Sequence, residues 1–316
     1  MTQVQSILVG IDLSKADRLV AADISSSNRH AIDKALWLAE HTGAKLTFLS
    51  ALELSAHTQH LIQQDPRNFS DVDDAALGVL KEFVEQAEQQ GIKADCRLAY
   101  GAAWHEIITE VLARPYDMVI IGTRNLSSVK RMLMGSTAMK LLRYCPCPVW
   151  VTKAESETDT KSILVATDLT AVGERSVQIG VDLAKAEEAA LHVVHAVEYP
   201  LERPLRLSQT PPEEIQKYRE DVRTKAEETL KQQLENDGVE SLAKPPQVHL
   251  SDDVPESAII DLIKSHNIDL VVMGTVARAG LTRFLVGNTA ERILPELPCS
   301  VLAVKPADFV CPVTTE

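Results

Sequence analysis

The sequence predicts an α/β protein built from two tandem domains, each an open five-stranded parallel sheet with helices on both faces. Two observations carry this prediction. Short apolar runs of strand length alternate with segments of helical periodicity, as βαβ units require. The same order of runs, and several of the same peptides, occur twice along the 316 residues. A length of 316 residues suits two domains of about 150 residues each.

The internal repeat is visible at the level of short peptides. Three peptides of the first half recur 152 residues later, and a fourth recurs after 156 residues. A shared offset over so long a span indicates a duplicated domain. The pairs are Asp117–Thr123 with Asp269–Thr275, Gly135–Ala138 with Gly287–Ala290, Cys147–Lys153 with Cys299–Lys305, and Ile7–Asp12 with Ile163–Asp168.

The elements of the first half follow in order. Continuous or alternating apolar runs predict five strands, at Ser6–Ile11, Lys45–Leu52, Ala94–Tyr100, Met118–Ile121 and Val149–Val151. Apolar residues at helical spacing predict helices at Arg29–His41, Asp71–Gln90, Trp104–Ala113 and Ser136–Tyr144. Short buried strands that alternate with helices indicate a parallel sheet covered on both faces.

The second half repeats the pattern. Its predicted strands are Ile163–Thr167, Leu191–Val197, Gln247–Leu250, Leu270–Met273 and Val301–Val304. Its longest helix is predicted from about Pro212, since proline suits a first turn, to Asn236, just before Gly238. We divide the chain into a first domain at 1–153, a polar linker at 154–161, a second domain at 162–305 and a tail at 306–316.

The two copies differ in one loop. The offset between them falls from 156 residues at the first strand to 145 at the second, so the first copy carries 11 extra residues around Ser14–Asn28. In an open α/β sheet the ligand binds beyond the carboxyl ends of the strands, where this loop lies. The insertion is therefore a lid, a plug or a surface bulge.

Composition excludes several classes of function. The chain is 45% apolar and 24% charged, with a formal net charge of −13. The first 153 residues have 16 basic and 17 acidic side chains, and the remainder 16 and 28. A nucleic-acid partner is not expected, because it requires clustered Lys and Arg. The apolar runs are far shorter than a membrane span of about 20 residues, and Met1 to Gln5 carry no signal-peptide pattern. We expect a cytoplasmic protein.

No metal site is predicted. Cys145 and Cys147 form a Cys-Pro-Cys pair, but no second pair at ligand spacing accompanies them, so we interpret the cysteines as buried apolar residues. Three histidines, His105, His195 and His249, are considered as ligands or bases, although lone histidines are more often satisfied by packing and hydrogen bonds.

A glycine-bounded loop after the fourth strand of each half carries the candidate chemistry. A strand that ends at glycine lets a ligand approach the backbone, and a glycine before a helix leaves amides free to bind an anion. The structural alternative is that the glycines serve only the turn and that Ser136 and Asn288 are N-caps. The residues are Gly122, Asn125, Gly135, Ser136 and Thr137 in the first half, and Gly274, Ala277, Arg278, Gly287, Asn288 and Thr289 in the second.

With this spacing the chain resembles the universal stress protein family, in its tandem two-domain type, over nearly its whole length. The resemblance implies two Rossmann-like domains of the adenine nucleotide alpha hydrolase-like kind, packed as a pseudo-dimer through their last strands, Val149–Val151 and Val301–Val304. Two separate sheets are expected, each with its first-strand aspartate beside a hollow. A further homodimer of the whole chain is left open.

The resemblance also implies roles for individual residues. Asp12 and Asp168 would lie beside an adenine, and Ala51 and Ala196 would line its pocket. The glycine-loop residues would contact ribose and phosphates of ATP or AMP in one or both halves. The chain departs from the family pattern at Asn125 and Ala277, where the family has glycine, and at Asn288, where it has Ser or Thr. Arg278 could pair with a phosphate.

Three functions remain from the sequence. The first is a cytoplasmic stress-response binding module that holds a small ligand, with an adenine nucleotide in at least one half. The second is a nucleotide hydrolase or transferase, which would need a base, a metal ligand or a charge stabiliser near the phosphates. The third is an apolar or lipid ligand in degenerate nucleotide sites, since alanines occupy positions 51, 196 and 277.

Overall fold

The computed structural model describes residues 4–14, 20, 24–53, 67–123, 134–153, 160–275 and 288–314. At 67–70, 288 and 296 it describes the backbone alone. Within these residues the first half contains five strands: β1 Ser6–Gly10, β2 Lys45–Leu52, β3 Ala94–Tyr100, β4 Met118–Gly122 and β5 Val149–Thr152. Its helices are α1 Ser26–Thr42, α2 Arg67–Gln89, α3 Ala103–Ala113 and α4 Ser136–Tyr144.

The second half repeats the alternation. Its strands are β6 Ser162–Ala166, β7 Ala190–Ala196, β8 Gln247–Ser251, β9 Leu270–Gly274 and β10 Ser300–Val304. Its helices are α5 Ala171–Ala186, α6 Glu202–Leu207, α7 Pro212–Asn236, α8 Pro255–His266 and α9 Asn288–Ile293, with 3-10 turns at Val239–Ser241 and Leu294–Glu296. The predicted proline start of the longest helix is confirmed at Pro212.

The ten strands form one sheet in the order β3-β2-β1-β4-β5-β10-β9-β6-β7-β8. Within each half every pairing is parallel, and the two halves meet where β5 pairs with β10 in antiparallel register, with Trp150 opposite Leu302. The expected pairing of the last strands is therefore confirmed. The expectation of two separate sheets is wrong, because this pairing supplies the edge hydrogen bonds of both five-stranded halves and makes them continuous.

Helices cover both faces of the sheet over two apolar layers that each draw residues from both halves. One layer includes α1 residues such as Ile32 and α5 residues such as Val181, and Trp150 lies in it at 1% exposure. The other includes Ile108 of α3 and Ile259 of α8. The layers continue across the β5–β10 junction, so the halves share their core.

The strand order places the candidate sites. In each half the chain moves outward from the first strand to the second and third, and then returns to the other side of the first. The order therefore reverses between β1 and β4 in the first half, and between β6 and β9 in the second. In open α/β sheets the crevice for a ligand lies at the carboxyl ends of the strands beside such a reversal.

Candidate ligand-binding site

Three predicted residues of the first half share one edge of the sheet. Gly10 of β1 is paired with Ile121 of β4, and the Ile11 amide donates to the Leu49 carbonyl at 2.8 Å. Asp12 comes two residues after Gly10, Ala51 two residues after Leu49, and Gly122 directly after Ile121. All three therefore lie at the carboxyl edge of three neighbouring strands. Asp168, Ala196 and Gly274 have the same placement in the second half.

The two aspartates have matching local geometry. The Oδ1 atom of Asp12 accepts from the amide of Ser14 at 3.0 Å and from its hydroxyl at 2.5 Å. The Oδ1 atom of Asp168 accepts from the amide of Thr170 at 3.1 Å and from its hydroxyl at 2.6 Å. Each carboxylate thus closes an Asx turn with one oxygen. The Asp12 side chain is exposed and that of Asp168 is half-buried.

The residue of the following helix that lies against each aspartate differs between the two copies. In the first half the Asn28 side chain donates to the Asp12 carbonyl at 2.5 Å and accepts from the Asp12 amide at 3.4 Å. In the second half Gly173 lies there, and a Cβ at that position would come within 2.8 Å of the Asp168 Oδ1 atom. The main chain of Asp12 is therefore held by hydrogen bonds with the Asn28 side chain, whereas Asp168 lies close to the backbone of Gly173.

The glycines that end β4 and β9 are explained by packing within the protein. A Cβ on Gly122 would come within 2.5 Å of the Ser27 carbonyl oxygen, in the first turn of α1. A Cβ on Gly274 would come within 2.8 Å of the Val172 side chain, in the first turn of α5. In both halves the space that glycine leaves free is filled by a helix, so these glycines bring α1 and α5 close to the sheet.

The start of α4 corrects one sequence interpretation. Gly135, and not Ser136, is the N-cap residue, with φ −63° and ψ 160°. Because glycine has no side chain, nothing at this cap position accepts from the first-turn amides. Ser136 is exposed and Thr137 is half-buried. The second half also starts its helix at Asn288, and Thr289 is half-buried there.

Part of the predicted site lies outside the described residues. Asn125, Ala277, Arg278 and Gly287 are in this group, as is the Asn288 side chain. Their contacts with a ligand stay predictions. Within the inserted segment of the first copy, the structure describes Ser14, Val20 and residues 24–28. Ser25 caps α1 thirteen residues after Asp12, whereas Thr170 caps α5 two residues after Asp168.

The histidines considered in the sequence have different surroundings. The Nδ1 atom of His195 is 2.9 Å from the Thr167 carbonyl oxygen, and that of His105 is 3.2 Å from a Glu106 carboxylate oxygen. His249 instead lies beside His192 and His266. These two partners were not predicted from the sequence because they are 57 and 17 residues from His249, although strand alternation could have placed His192 and His249 on one face.

A cavity of about 260 Å³ lies elsewhere, at the amino ends of β4 and β5 and against α5. Its lining includes Asp117 and Cys147 of the first half and Arg175 and Asp182 of the second. It contains none of the predicted ligand-binding residues.

In the part of the chain that the structure describes, no helix has both the length and the apolar character needed to cross a membrane.

Comparisons with known proteins match this architecture. The model of the universal stress protein family matches residues 17–153 and again 159–305. Universal stress protein E of Escherichia coli strain K12 is 26% identical over 310 residues, covering 93% of this chain and 95% of that protein. Its Photorhabdus laumondii counterpart is 25% identical over 311 residues, covering 93% and 96%. The crystal structure of a universal stress protein from Archaeoglobus fulgidus has a TM-score of 0.65 at 20% identity, covering 96% of this chain and 99% of that one. With two matching segments that together span most of its length, this chain belongs to the universal stress protein family.

Proposed function

We propose that this protein is a cytoplasmic stress-response binding module that holds an adenine nucleotide, ATP or AMP, at the carboxyl edge of its first half. The observation that carries the proposal is the start of α4. Its cap residue, Gly135, supplies no side-chain acceptor to the first-turn amides, which lie on the same edge as Asp12. Amides of this kind attract anions such as phosphate, because the N-terminus of a helix carries partial positive charge.

The first half is the better candidate for three reasons. Asp12 is exposed, whereas Asp168 is half-buried against Gly173. Ser136 is exposed in the first turn of α4 and offers a hydroxyl to a phosphate. The excess of acidic side chains is concentrated after residue 153, where it disfavours a polyanionic ligand.

The two copies supply a matched pair of variants for the test. We expect Gly135→Val to weaken binding of ATP or AMP to the full chain by about tenfold or more, because a branched side chain would fill the approach to the α4 amides. The angles at Gly135, φ −63° and ψ 160°, suit any L-residue, so the substitution does not strain the backbone. Gly287→Val at the equivalent position is the control. Isothermal titration calorimetry measures each affinity.

The outcome distinguishes the alternatives. Loss of affinity in Gly287→Val, with Gly135→Val unchanged, would assign the nucleotide to the second half. Steady release of phosphate from ATP, abolished by Asp12→Ala or Asp168→Ala, would favour a hydrolase. Equal nucleotide affinity in all variants, with an apolar molecule carried through native purification, would favour the lipid-binding alternative.

A further inference from the structure

Three imidazoles meet on the second half of the sheet, away from the carboxyl edge. His192 is near the amino end of β7, His249 is on the neighbouring β8, and His266 is the last residue of α8. The Nδ1 atom of His192 lies 3.1 Å from the Nε2 atom of His249. One ring nitrogen from each of the three lies within 4.8 Å of the other two. We call these residues the histidine cluster.

The rings pack directly against one another. The ring centroids of His192 and His266 are 4.4 Å apart, and His249 lies 5.4 Å from each, nearly parallel to His192. His192 is 3% exposed, whereas the other two are half-buried. The cluster therefore has a buried floor and a side open to solvent, so an ion could enter without unfolding the sheet.

The duplicated domain shows that the fold does not require these histidines. Strand register pairs His192 with Leu164 and Thr47 with Leu8, so Thr47 is the first-half equivalent of His192. In the same way Arg97 corresponds to His249, since it pairs with Leu49 as His249 pairs with Val194.

The first-half equivalent of His266 is identified by the number of residues that separate it from the next strand. Arg114 lies four residues before β4, as His266 lies four residues before β9. In the first half this place holds an ion-pair cluster around Glu110, which contacts Arg97 at 3.7 Å, Arg114, and the Tyr116 hydroxyl at 2.9 Å. All three equivalent positions thus differ between the copies, and all three are histidine in the second.

We propose that the histidine cluster is a binding site for a divalent transition-metal ion, with Zn²⁺ as its best-suited occupant. This inference is independent of the nucleotide proposal, because the cluster is built from β7, β8 and the end of α8 in the second half, whereas the nucleotide is proposed at the carboxyl edge of the first half. Three imidazole nitrogens with a fourth position for water form a common zinc environment.

The geometry is close to what zinc requires. Two nitrogens bound tetrahedrally at about 2.0–2.1 Å from zinc lie about 3.3 Å apart. The Nδ1 atom of His192 and the Nε2 atom of His249 are 3.1 Å apart, which is close to this separation, and one nitrogen from each of the three rings lies within 4.8 Å of the other two.

The test measures Zn²⁺ binding to the untagged, full-length chain after removal of metal with a chelator. We expect one Zn²⁺ per chain. His249→Phe keeps a ring in place but removes the ligating nitrogens, and we expect it to weaken Zn²⁺ binding by about 100-fold or more. Loss of a metal ligand lowers the affinity for the metal more than loss of a residue that only orients a ligand. Loss of such an orienting residue typically lowers the affinity by about 10–100-fold. His41→Phe removes an exposed imidazole on α1 and is the matched control.

Two further measurements make the result decisive. His249→Arg installs the residue that the first half carries at this position, which the fold accommodates there, and it should also abolish tight binding, since Arg has no free lone pair. Co²⁺ used as a spectroscopic probe should give visible ligand-field bands without a sulfur charge-transfer band. Absence of stoichiometric Zn²⁺ binding by the wild-type chain, unchanged affinity in His249→Phe, or a cobalt–thiolate spectrum would each overturn the proposal.

Discussion

Gly122 shows how a single residue sets the distance between a helix and the sheet. Any side chain there would collide with the main chain of Ser27, at 2.5 Å from its carbonyl oxygen and 2.6 Å from its carbonyl carbon. Backbone atoms cannot rotate aside as the end of a flexible side chain can. The glycine that the sequence associated with ligand approach is therefore required by the packing of α1 against β4.

We expect Gly122→Ala to lower the free energy of unfolding by about 1–3 kcal/mol, the usual cost of overpacking. Gly78→Ala is the matched control, because Gly78 is exposed within α2 and a Cβ there would meet nothing within 4 Å. That control should raise stability by about 0.5–1 kcal/mol through helix propensity. Urea denaturation of both variants measures the difference. Equal effects of the two substitutions would contradict the packing argument.

At the scale of elements, the end of α4 depends on a residue from the other half of the chain. The Lys305 Nζ atom donates to the Leu142 carbonyl at 2.6 Å, to the Arg143 carbonyl at 3.2 Å and to the Thr275 hydroxyl at 2.7 Å. The first two are terminal carbonyls of α4 that lack partners within the helix. An ammonium group at the C-terminus of a helix also interacts favourably with its dipole. Lys305 therefore caps a helix of the first half.

This burial gives a pH prediction. Burial lowers the pKa of Lys305 from 10.5 to about 8. The unfolded chain then binds more protons than the folded chain between these two pH values, so the stability contributed by Lys305 rises as pH rises through that window. We expect the unfolding free energy of the wild type, relative to Lys305→Met, to increase by about 2 kcal/mol between about pH 7 and pH 10. A flat difference across this range would show that Lys305 keeps an ordinary pKa.

At the scale of the whole molecule, the two halves are joined by more than the β5–β10 pairing. The Lys34 ammonium of α1 lies 2.6 Å from the Glu187 carboxylate, which follows α5, and 3.2 Å from the Thr160 hydroxyl. The side chains of the ion pair are only 5% and 4% exposed. The Thr160 amide also donates to Glu187, at 3.3 Å. A buried charge pair therefore connects α1 of the first half to the end of α5 in the second half.

Removing one partner of this pair should be costly. We expect Lys34→Met to destabilise the protein by about 3–5 kcal/mol, because it leaves the Glu187 carboxylate buried without its counter-charge. Adding Glu187→Leu should recover most of that loss. The control is Lys231→Met, which breaks an exposed pair with Glu235 and should change stability by less than about 0.5 kcal/mol. Thermal and urea unfolding measure all three. A loss in Lys34→Met as small as in the control would contradict this role.

The duplication, the class of the fold and the position of most strands could be predicted from the amino-acid sequence alone. These features depend on local patterns, namely apolar periodicity and repeated peptides, which a chain carries before it folds. Both sheet halves, the order of elements and the pairing of Val149–Val151 with Val301–Val304 agree with the expectations from sequence and family resemblance. The edge position of Asp12 and Asp168 follows from the same patterns, since each comes directly after a predicted strand.

Contacts between residues far apart in the chain could not be predicted in this way, because they form only when the chain folds. Lys305 and Leu142 are 163 residues apart, and Lys34 and Glu187 are 153 apart. No local pattern encodes such pairs, because they depend on how the two halves register across β5 and β10. The histidine cluster has the same origin, since strand register and the end of α8 bring three separated imidazoles together. The merging of the halves into one sheet was likewise decided when two edge strands satisfied each other's hydrogen bonds.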